Sequence, residues 1–302
     1  MSKPLVTVGI AFLNSEKTLL NAIKSIFAQT FQDWELILVD DGSTDNSLEL
    51  ARSIDDQRVR TFSDGQNKKL PARLNQIVEL ARGEFIARMD ADDMSHPQRL
   101  AKQVEFFNNH NGVDVVGTSM YILNRQIQPT CKITVPPTHN DISKNKFKKI
   151  PIAHPTVMAK ARWFHQWPYD EKCPLSQDQE LWMRSISKST FANITEPLYL
   201  YNEFAATSLS KYVKATRIIA KNIMRYGPSE VGRFRSVYHA CIRYSKAAVY
   251  AVSLALGLRN RLIRSRYSDL TEEEYTDAKN VIDVIMRTEV PICRAGSGLG
   301  EI

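Results

Sequence analysis

Cysteine is scarce in this chain, and the few cysteines it has are far apart. Its 302 residues contain four of them, Cys131, Cys173, Cys241 and Cys293, and no CxxC pair. Zinc sites and thiol redox motifs that are recognisable from sequence use such pairs, so the sequence indicates neither kind of site. Reduced thiols in a reducing compartment are expected instead.

Long hydrophobic runs are also missing. The N-terminal MSKPLVTVGIAFLN contains a short β-branched apolar run, which is typical of a strand and not of a signal peptide. The stretch AAVYAVSLALGL, residues 247–258, has 12 residues, fewer than the roughly 20 that a membrane-spanning helix needs. We therefore predict no membrane span and expect the protein in the cytoplasm.

Acidic residues are nearly absent from one segment near the C-terminus. The whole chain has a formal charge of +7. Residues 213–266 contain 12 Lys or Arg and one acid, Glu230, a net charge of +11 that leaves −4 for the rest. A basic segment of this kind favours an acidic partner, which could be nucleic acid, anionic lipid or a phosphorylated substrate.

Short apolar runs alternate with amphipathic segments in the first half of the chain. LVTVGIAF, WELILVD and EFIARMD are predicted as buried strands, and Asn14 or Ser15 is predicted to cap the first helix. This alternation indicates βαβ units, hence a Rossmann-like, mostly parallel sheet flanked by helices. We predict two domains, residues 1–212 and a helical C-terminal extension of residues 213–302.

Polar side chains follow three of the predicted strands, at Asn14, at Asp40 and Asp41, and at Asp90 and Asp92. Ligands of parallel sheets bind at the carboxyl ends of strands. Two carboxylates as close as those of a D-x-D motif repel unless a cation lies between them, and Mg²⁺ is usually held by one or two carboxylates plus substrate phosphates. A metal–diphosphate site is therefore predicted.

Each acidic group also has a simpler explanation. D-x-D alone is more often a loop that caps the next helix, and DDGSTD is favourable turn chemistry. Their joint occurrence at neighbouring strand ends favours the binding site.

The chain resembles the family 2 inverting glycosyltransferases, which have the GT-A fold and include enzymes of bacterial surface-polysaccharide synthesis. The matching segments follow in family order over about the first 210 residues: VTVGIAFLNSEKTLLNAIKSIFAQTFQDWELILVDDGSTD, LPARLNQIVELARGEFIARMDADDMSHPQRL, HPTVM and SQDQELWMR. The resemblance implies a Mn²⁺- or Mg²⁺-dependent hexosyltransferase. Its donor would be a UDP-sugar and its acceptor a glycan or lipid-linked glycan hydroxyl, in capsule, exopolysaccharide or O-antigen synthesis.

The resemblance also implies roles for individual residues. Asp178 matches the catalytic base, although the family's Glu-Asp pair is Gln177-Asp178 here, and Glu180 is the alternative base. His154 and Trp182 would lie on the acceptor side, although core packing explains either residue as well. Asp92 and Asp90 would bind the metal. The donor would contact Ala11, Phe12, Leu13, Asn14, Asp41, Arg73, Asp90 and Asp92, with Asp41 at the base and Asp90 at the ribose.

Three interpretations of the basic C-terminal segment remain open. The simplest is a solvated helical bundle with a charged face. Nucleic-acid binding ranks last, because the segment has no recognisable binding module. A membrane-surface helix is favoured, with an apolar stretch at the interface of the cytoplasmic face of the inner membrane. Its flanking cations would be Lys246, Arg259, Arg261, Arg264 and Arg266.

A non-enzymatic function is the alternative to transfer. The chain would then be a catalytically inactive nucleotide- or glycan-binding subunit. The retained acids Asp90, Asp92 and Asp178 argue against this alternative.

Overall fold

The fold was obtained as a computed structural model, which describes residues 3–144, 146–147, 152–203, 208–258 and 267–293. The predicted flanking cations Arg259, Arg261, Arg264 and Arg266 lie outside the described residues. The elements are β1 (Val6–Phe12), α1 (Leu19–Phe27), β2 (Trp34–Asp40), α2 (Ser47–Arg52), β3 (Val59–Phe62), α3 (Leu70–Leu80), β4 (Phe85–Asp90), β5 (Met94–Ser95), α4 (Arg99–Asn109), β6 (Val115–Leu123), β7 (Pro129–Ile133), α5 (His139–Lys144), β8 (Met158–Lys160), α6 (Ala161–Gln166), α7 (Gln177–Ser185), β9 (Phe191–Asn202), α8 (Leu209–Val231), α9 (Arg233–Ala255) and α10 (Glu272–Arg287).

The nine strands form one sheet in the order β3-β2-β1-β4-β8-β6-β9-β5, with β7 paired to β6. The first four strands in this order are parallel, as the alternating pattern predicts, whereas β8, β5 and β7 are antiparallel to their neighbours. The chain leaves β1 toward β2 and β3 and later returns to the other side of β1 as β4. The junction between β1 and β4 is therefore a topological switch point, where sheets of this kind bind ligands.

The register of the strands brings the polar strand ends together. Ala11 of β1 pairs with Asp90 of β4, and Phe12 pairs with Asp40 of β2. The acids predicted from separate motifs thus lie together at the carboxyl ends of neighbouring strands.

Apolar side chains cover both faces of the sheet. Ile23 and Ile26 of α1 belong to the apolar cluster on one face, and Ile77 of α3 belongs to the cluster on the other. Gly9 of β1 permits close packing of α3, because a Cβ there would lie 2.4 Å from Cγ2 of Ile77. The end of the sheet that carries the acids therefore lies between two packed apolar layers, one on each face.

The predicted start of the first helix is wrong. The helix α1 begins at Leu19, and neither Asn14 nor Ser15 caps it. Asn14 has a positive φ of 51°, and its Oδ1 accepts a hydrogen bond from the backbone N–H of Thr44 at 2.8 Å. Its side chain therefore links the loop after β1 to the loop after β2 instead of capping the helix.

The C-terminal region is a helical hairpin followed by a helix that packs back on the sheet. Gly232, with φ of 83°, joins α8 to α9, two helices of 23 residues each. The predicted boundary after residue 212 falls inside α8, and the two-domain division stays a prediction. The helix α10 buries Val281, Ile282 and Ile285 against Met94, Leu123 and Leu200. Across the described ranges, we find no helix both long and apolar enough to cross a bilayer.

Candidate functional site

The carboxyl ends of β1 and β4 open into a cleft of about 630 Å³. Residues 11–18 after β1 line one part of it, and Asp90, Ala91 and Asp92 line another. The structure thus brings together six of the residues predicted to bind the donor. They are Ala11, Phe12, Leu13, Asn14, Asp90 and Asp92.

Three carboxylates, those of Asp90, Asp92 and Asp93, lie at the end of β4. They can offer oxygen atoms within 4.8 Å of one another. Their surroundings differ, however, and these differences indicate which of them can take a cation.

Asp93 has a structural role, because both of its oxygens accept hydrogen bonds from β9. It is buried, and it accepts hydrogen bonds from the Tyr199 hydroxyl at 2.9 Å and from the backbone N–H of Asn202 at 2.8 Å. Burial, together with the charges of Asp90 and Asp92, raises the pKa of Asp93 well above its usual value. This carboxyl group therefore fastens β9 to the end of β4.

Asp90 is held by Arg88, a residue that the sequence analysis missed. Nη1 of Arg88 donates to Oδ2 of Asp90 at 2.7 Å, and Nη2 donates to Oδ1. The Arg88 side chain is only 4% exposed. Burial disfavours its charged form, but the charges of Asp90, Tyr199 and Tyr169 and the hydrogen bonds to Asp90 together raise the pKa of Arg88. The spacing i, i+2 within a strand, which puts both side chains on one face, was the available signal.

Asp92 is the exposed member of the cluster. No other residue in the described ranges donates a hydrogen bond to its carboxylate. Partial desolvation and the charge of Asp90 raise the pKa of Asp92, so a cation at its oxygens would relieve an existing strain between charges. All the available donors are oxygens, which fits Mg²⁺ or Mn²⁺. Asp92 would hold the ion, with Asp90 beside it.

Asp41 and Arg73 are paired and buried, and they do not line the cleft. Nε of Arg73 donates to Oδ1 of Asp41 at 3.0 Å. The same oxygen accepts from the backbone N–H groups of Lys68 at 2.7 Å and Lys69 at 3.1 Å. Arg73 also binds Asp64, so residues 64–69 are tied to this pair from both ends. Asp41, predicted to bind the nucleobase, and Arg73, predicted to contact the donor, are thus together, but the loop occupies their hydrogen-bonding capacity.

Asp178 lies in the first turn of α7, after Ser176, whose φ is 57°. Burial raises the pKa of Asp178, and the charge of Arg88 partly opposes this effect. The charge of Asp90 also raises the pKa of Asp178, which is not among the residues that line the cleft. A carboxyl group with a raised pKa is a better proton acceptor than an ordinary aspartate.

Glu180, the alternative base, is poorly suited to that role. It is buried and accepts from Nε of Arg184 at 3.0 Å and from the Tyr226 hydroxyl at 2.6 Å. Because Tyr226 belongs to α8, these bonds join α7 to the hairpin. Its carboxylate is used for structure.

We expect Glu180→Gln to reduce stability and to leave turnover largely intact. The change weakens two charge-assisted hydrogen bonds, so the free energy of unfolding should fall by about 1–3 kcal/mol. Urea denaturation measures this loss, and Glu79→Gln, at an exposed glutamate of α3, is the control. Unchanged stability with activity reduced more than about 100-fold would identify Glu180 as the base instead.

His154 and Trp182 are part of the core. Nε2 of His154 lies 2.8 Å from the Tyr169 hydroxyl, and burial together with the Arg88 charge holds the pKa of His154 well below its usual value. The buried Trp182 packs its ring 5.7 Å from that of Phe191. Neither residue lines the cleft, and core packing, the alternative weighed from the sequence, describes the surroundings of both.

A second cleft, of about 620 Å³, lies at the opposite end of the strands, beside Leu5 and Phe85. Its acids, Asp33 and Glu84, are accompanied by the cations Lys3, Lys160 and Arg162. It lies at the amino ends of β1 and β4, where sheets of this topology do not bind their ligands.

Comparisons with known proteins agree with this geometry. The model of glycosyl transferase family 2 matches residues 7–164. EpsE of Bacillus subtilis, assigned as a glycosyltransferase, is 34% identical over 209 residues, which are 67% of this chain and 74% of EpsE. The UDP-Glc:alpha-D-GlcNAc-diphosphoundecaprenol beta-1,3-glucosyltransferase WfaP of Escherichia coli is 24% identical over 221 residues, which are 73% of this chain and 86% of WfaP.

Solved structures share the fold. The crystal structure of Staphylococcus aureus TarS 1–349 in complex with UDP-GlcNAc matches 93% of this chain and 81% of that chain, with a TM-score of 0.62 and 18% identity. The resemblance found in the sequence is thus confirmed for the family and for the fold. The chain belongs to glycosyl transferase family 2 and has the GT-A fold.

Proposed function

We propose that the protein is a metal-dependent, inverting hexosyltransferase. It would move a sugar from a UDP-sugar to a hydroxyl of a glycan or lipid-linked glycan, in bacterial surface-polysaccharide synthesis. One observation carries this proposal: Asp92 presents an unpaired, exposed carboxylate to a cleft at the switch point of the sheet, beside Asp90. The UDP-GlcNAc bound to TarS and the lipid-diphosphate acceptor in the name of WfaP support the substrate classes.

The donor would lie along the cleft. A Mg²⁺ or Mn²⁺ ion held by Asp92, with Asp90, would neutralise the charge that develops on the departing diphosphate. The backbone of residues 11–13 would border the nucleotide. For the nucleobase to reach Asp41 and Arg73, the hydrogen bonds from the backbone N–H groups of Lys68 and Lys69 to Asp41 must break. Donor binding would therefore be accompanied by a movement of this loop.

Asp178 would act as the general base. As the acceptor oxygen forms its bond to the anomeric carbon, its proton passes to Asp178. The bond from that carbon to the diphosphate breaks on the opposite face, and UDP leaves with the electron pair. The configuration at the anomeric carbon is thereby inverted.

His154 and Trp182 would act on the acceptor side through packing. Trp182 lies one turn after Asp178 on α7, and its ring is 6.1 Å from that of His154. Their contribution would be to fix the position of the helix that carries the base, without direct contact to the sugar.

A lipid-linked acceptor is anchored in a bilayer, so we also propose that the enzyme works at the cytoplasmic face of the inner membrane. The basic hairpin α8–α9 is the part that supports this location.

The protein is incubated with Mn²⁺ and each of a panel of UDP-sugars in turn. We expect it to release UDP from one of these donors. Chelation should abolish the release, and added Mn²⁺ or Mg²⁺ should restore it. Coupled detection of UDP measures the rate, and the matching GDP-sugars are the control. Binding of UDP-sugar without release, for every donor and with acceptor glycans added, would favour the catalytically inactive binding subunit.

A further inference from the structure

The helix α9 has two apolar faces, and only one of them is used. Ser236, Ala240, Ala247, Tyr250 and Ser253 are buried, and the Tyr250 ring stacks 4.4 Å from that of Tyr212 in α8. An amphipathic helix of a globular protein normally turns charged side chains away from such a face. On α9 the exposed cations Arg233, Arg235 and Lys246 instead flank the opposite face, which is itself apolar.

The opposite face of α9 is an exposed stripe without charge. The stripe recurs at intervals of three or four residues and extends for about 33 Å at 1.5 Å per residue. Phe234, at its start, is 94% exposed. We call this surface the α9 stripe; it consists of Phe234, Val237, Tyr238, Cys241, Ser245, Ala248, Val249, Val252, Ala255 and Leu256. An exposed apolar surface of this length indicates a binding site.

The adjacent helix α8 carries a row of cations. They also recur every three or four residues and are all exposed, and we call them the α8 cations: Lys211, Lys214, Arg217, Lys221 and Arg225. Glu230 is the one acid in residues 208–258, and it already binds Lys146 at 2.7 Å and the Ser187 hydroxyl. Helical spacing puts the α8 cations on the side of α8 that faces away from α9, so they add positive charge to the hairpin without lining the α9 stripe.

The charges favour an anionic bilayer over a second copy of the chain. Two copies that paired through the α9 stripe would bring Arg233, Arg235 and Lys246 of each α9 close to those of the other, and α9 contains no acid to balance them. Phosphate headgroups supply the missing negative charge, and the acyl boundary accepts the apolar side chains.

We propose that the α8–α9 hairpin docks on an anionic membrane, with the α9 stripe at the boundary of headgroups and acyl chains and the flanking Arg233, Arg235 and Lys246 among the headgroups. This inference deepens the proposed function, since it names the surface through which the enzyme meets a membrane that holds its acceptor. It differs from the sequence prediction, because the stripe begins at Phe234 and does not depend on the arginines of residues 259–266.

Two exposed cysteines test the proposal in the unaltered chain. Cys241 lies in the α9 stripe, whereas Cys293 lies far from it, with its backbone N–H bonded to Ser53. Vesicles rich in phosphatidylglycerol should slow maleimide labelling of Cys241 at least tenfold and leave that of Cys293 unchanged. Vesicles of phosphatidylcholine alone should protect neither. Equal labelling of Cys241 with and without anionic vesicles overturns the proposal.

A pair of variants provides the second test. Val249 and Val252, 55% and 57% exposed, lie in the stripe, and Val284 of α10, 53% exposed, lies outside it. The double change V249D/V252D should reduce co-sedimentation with anionic vesicles at least tenfold, and V284D should not. UDP release should stay equal in all three proteins, which separates failed docking from failed catalysis. Equal sedimentation, or a wild-type dimer that V249D/V252D dissociates, would overturn membrane docking.

Discussion

Asp178→Asn should lower kcat for sugar transfer by about 10³-fold while UDP-sugar still binds, because loss of a general base typically removes between 10² and 10⁴ in rate. The amide keeps the shape of the side chain but cannot accept the acceptor's proton. Single-turnover transfer and calorimetric titration with UDP measure the two quantities. Asp283→Asn, at an exposed aspartate of α10, is the control.

The pH profile of the wild-type enzyme provides an independent check. The base works only as the carboxylate, so kcat/KM should fall as pH falls through the pKa of Asp178. Because burial raises that pKa, the decline should begin at a higher pH than the ordinary aspartate value of about 3.9 predicts. A variant Asp178→Asn with nearly full activity, or with lost binding and intact chemistry, would remove Asp178 from this role.

Arg88→Met should have the second large effect, on both stability and activity. The change leaves Asp90 without its two hydrogen bonds, and breaking a buried ion pair from one side costs about 3–5 kcal/mol. Three carboxylates then crowd the end of β4 with no cation bound to them. We expect kcat/KM to fall at least about 100-fold, since misplaced groups cost this much.

The control for Arg88 is a second arginine in a comparable ion pair. Nη1 of Arg60 binds Oε2 of Glu35 at 3.1 Å, away from the cleft. Arg60→Met should destabilise the protein less and leave kcat unchanged, and Arg88→Lys should recover part of the lost activity. If the Arg88→Met protein, assayed at a low temperature at which it stays folded, has the kcat of the wild type, Arg88 contributes to folding alone.

The sheet and its acidic end were predictable because their signals are local. Buried parallel strands require apolar runs such as LVTVGIAF, and a run that ends in carboxylates marks a strand end where charge must reach solvent. The pairing of Ala11 with Asp90 follows from that topology. The family resemblance then related the two acidic motifs to each other.

Other features depend on contacts between distant parts of the chain. The acceptor capacity of Asp41 is filled by the backbone N–H groups of Lys68 and Lys69, 27 and 28 residues away, which no periodicity reveals. The start of α1 was mispredicted because Asn14 bonds to Thr44, 30 residues away, in preference to the helix. Local capping preference loses to such a tertiary contact.

The C-terminal hairpin was underestimated for a different reason. A search for apolar runs finds residues 247–258, whereas the stripe on α9 is spread over the whole helix and interrupted at every turn by residues that pack on α8. Helical spacing, applied from Phe234 onward, would have found it.

The bond from Tyr226 to Glu180 has a mechanical consequence. This hydrogen bond links α7, which carries Asp178, to the hairpin. A movement of the hairpin should therefore move α7 as well. If the hairpin docks on a membrane as proposed, Asp178 would be held at a fixed height above the bilayer, and an acceptor hydroxyl at another height would not reach it. The distance of a hydroxyl from the bilayer, and not only recognition of the sugar, would then decide which position on a growing glycan is extended.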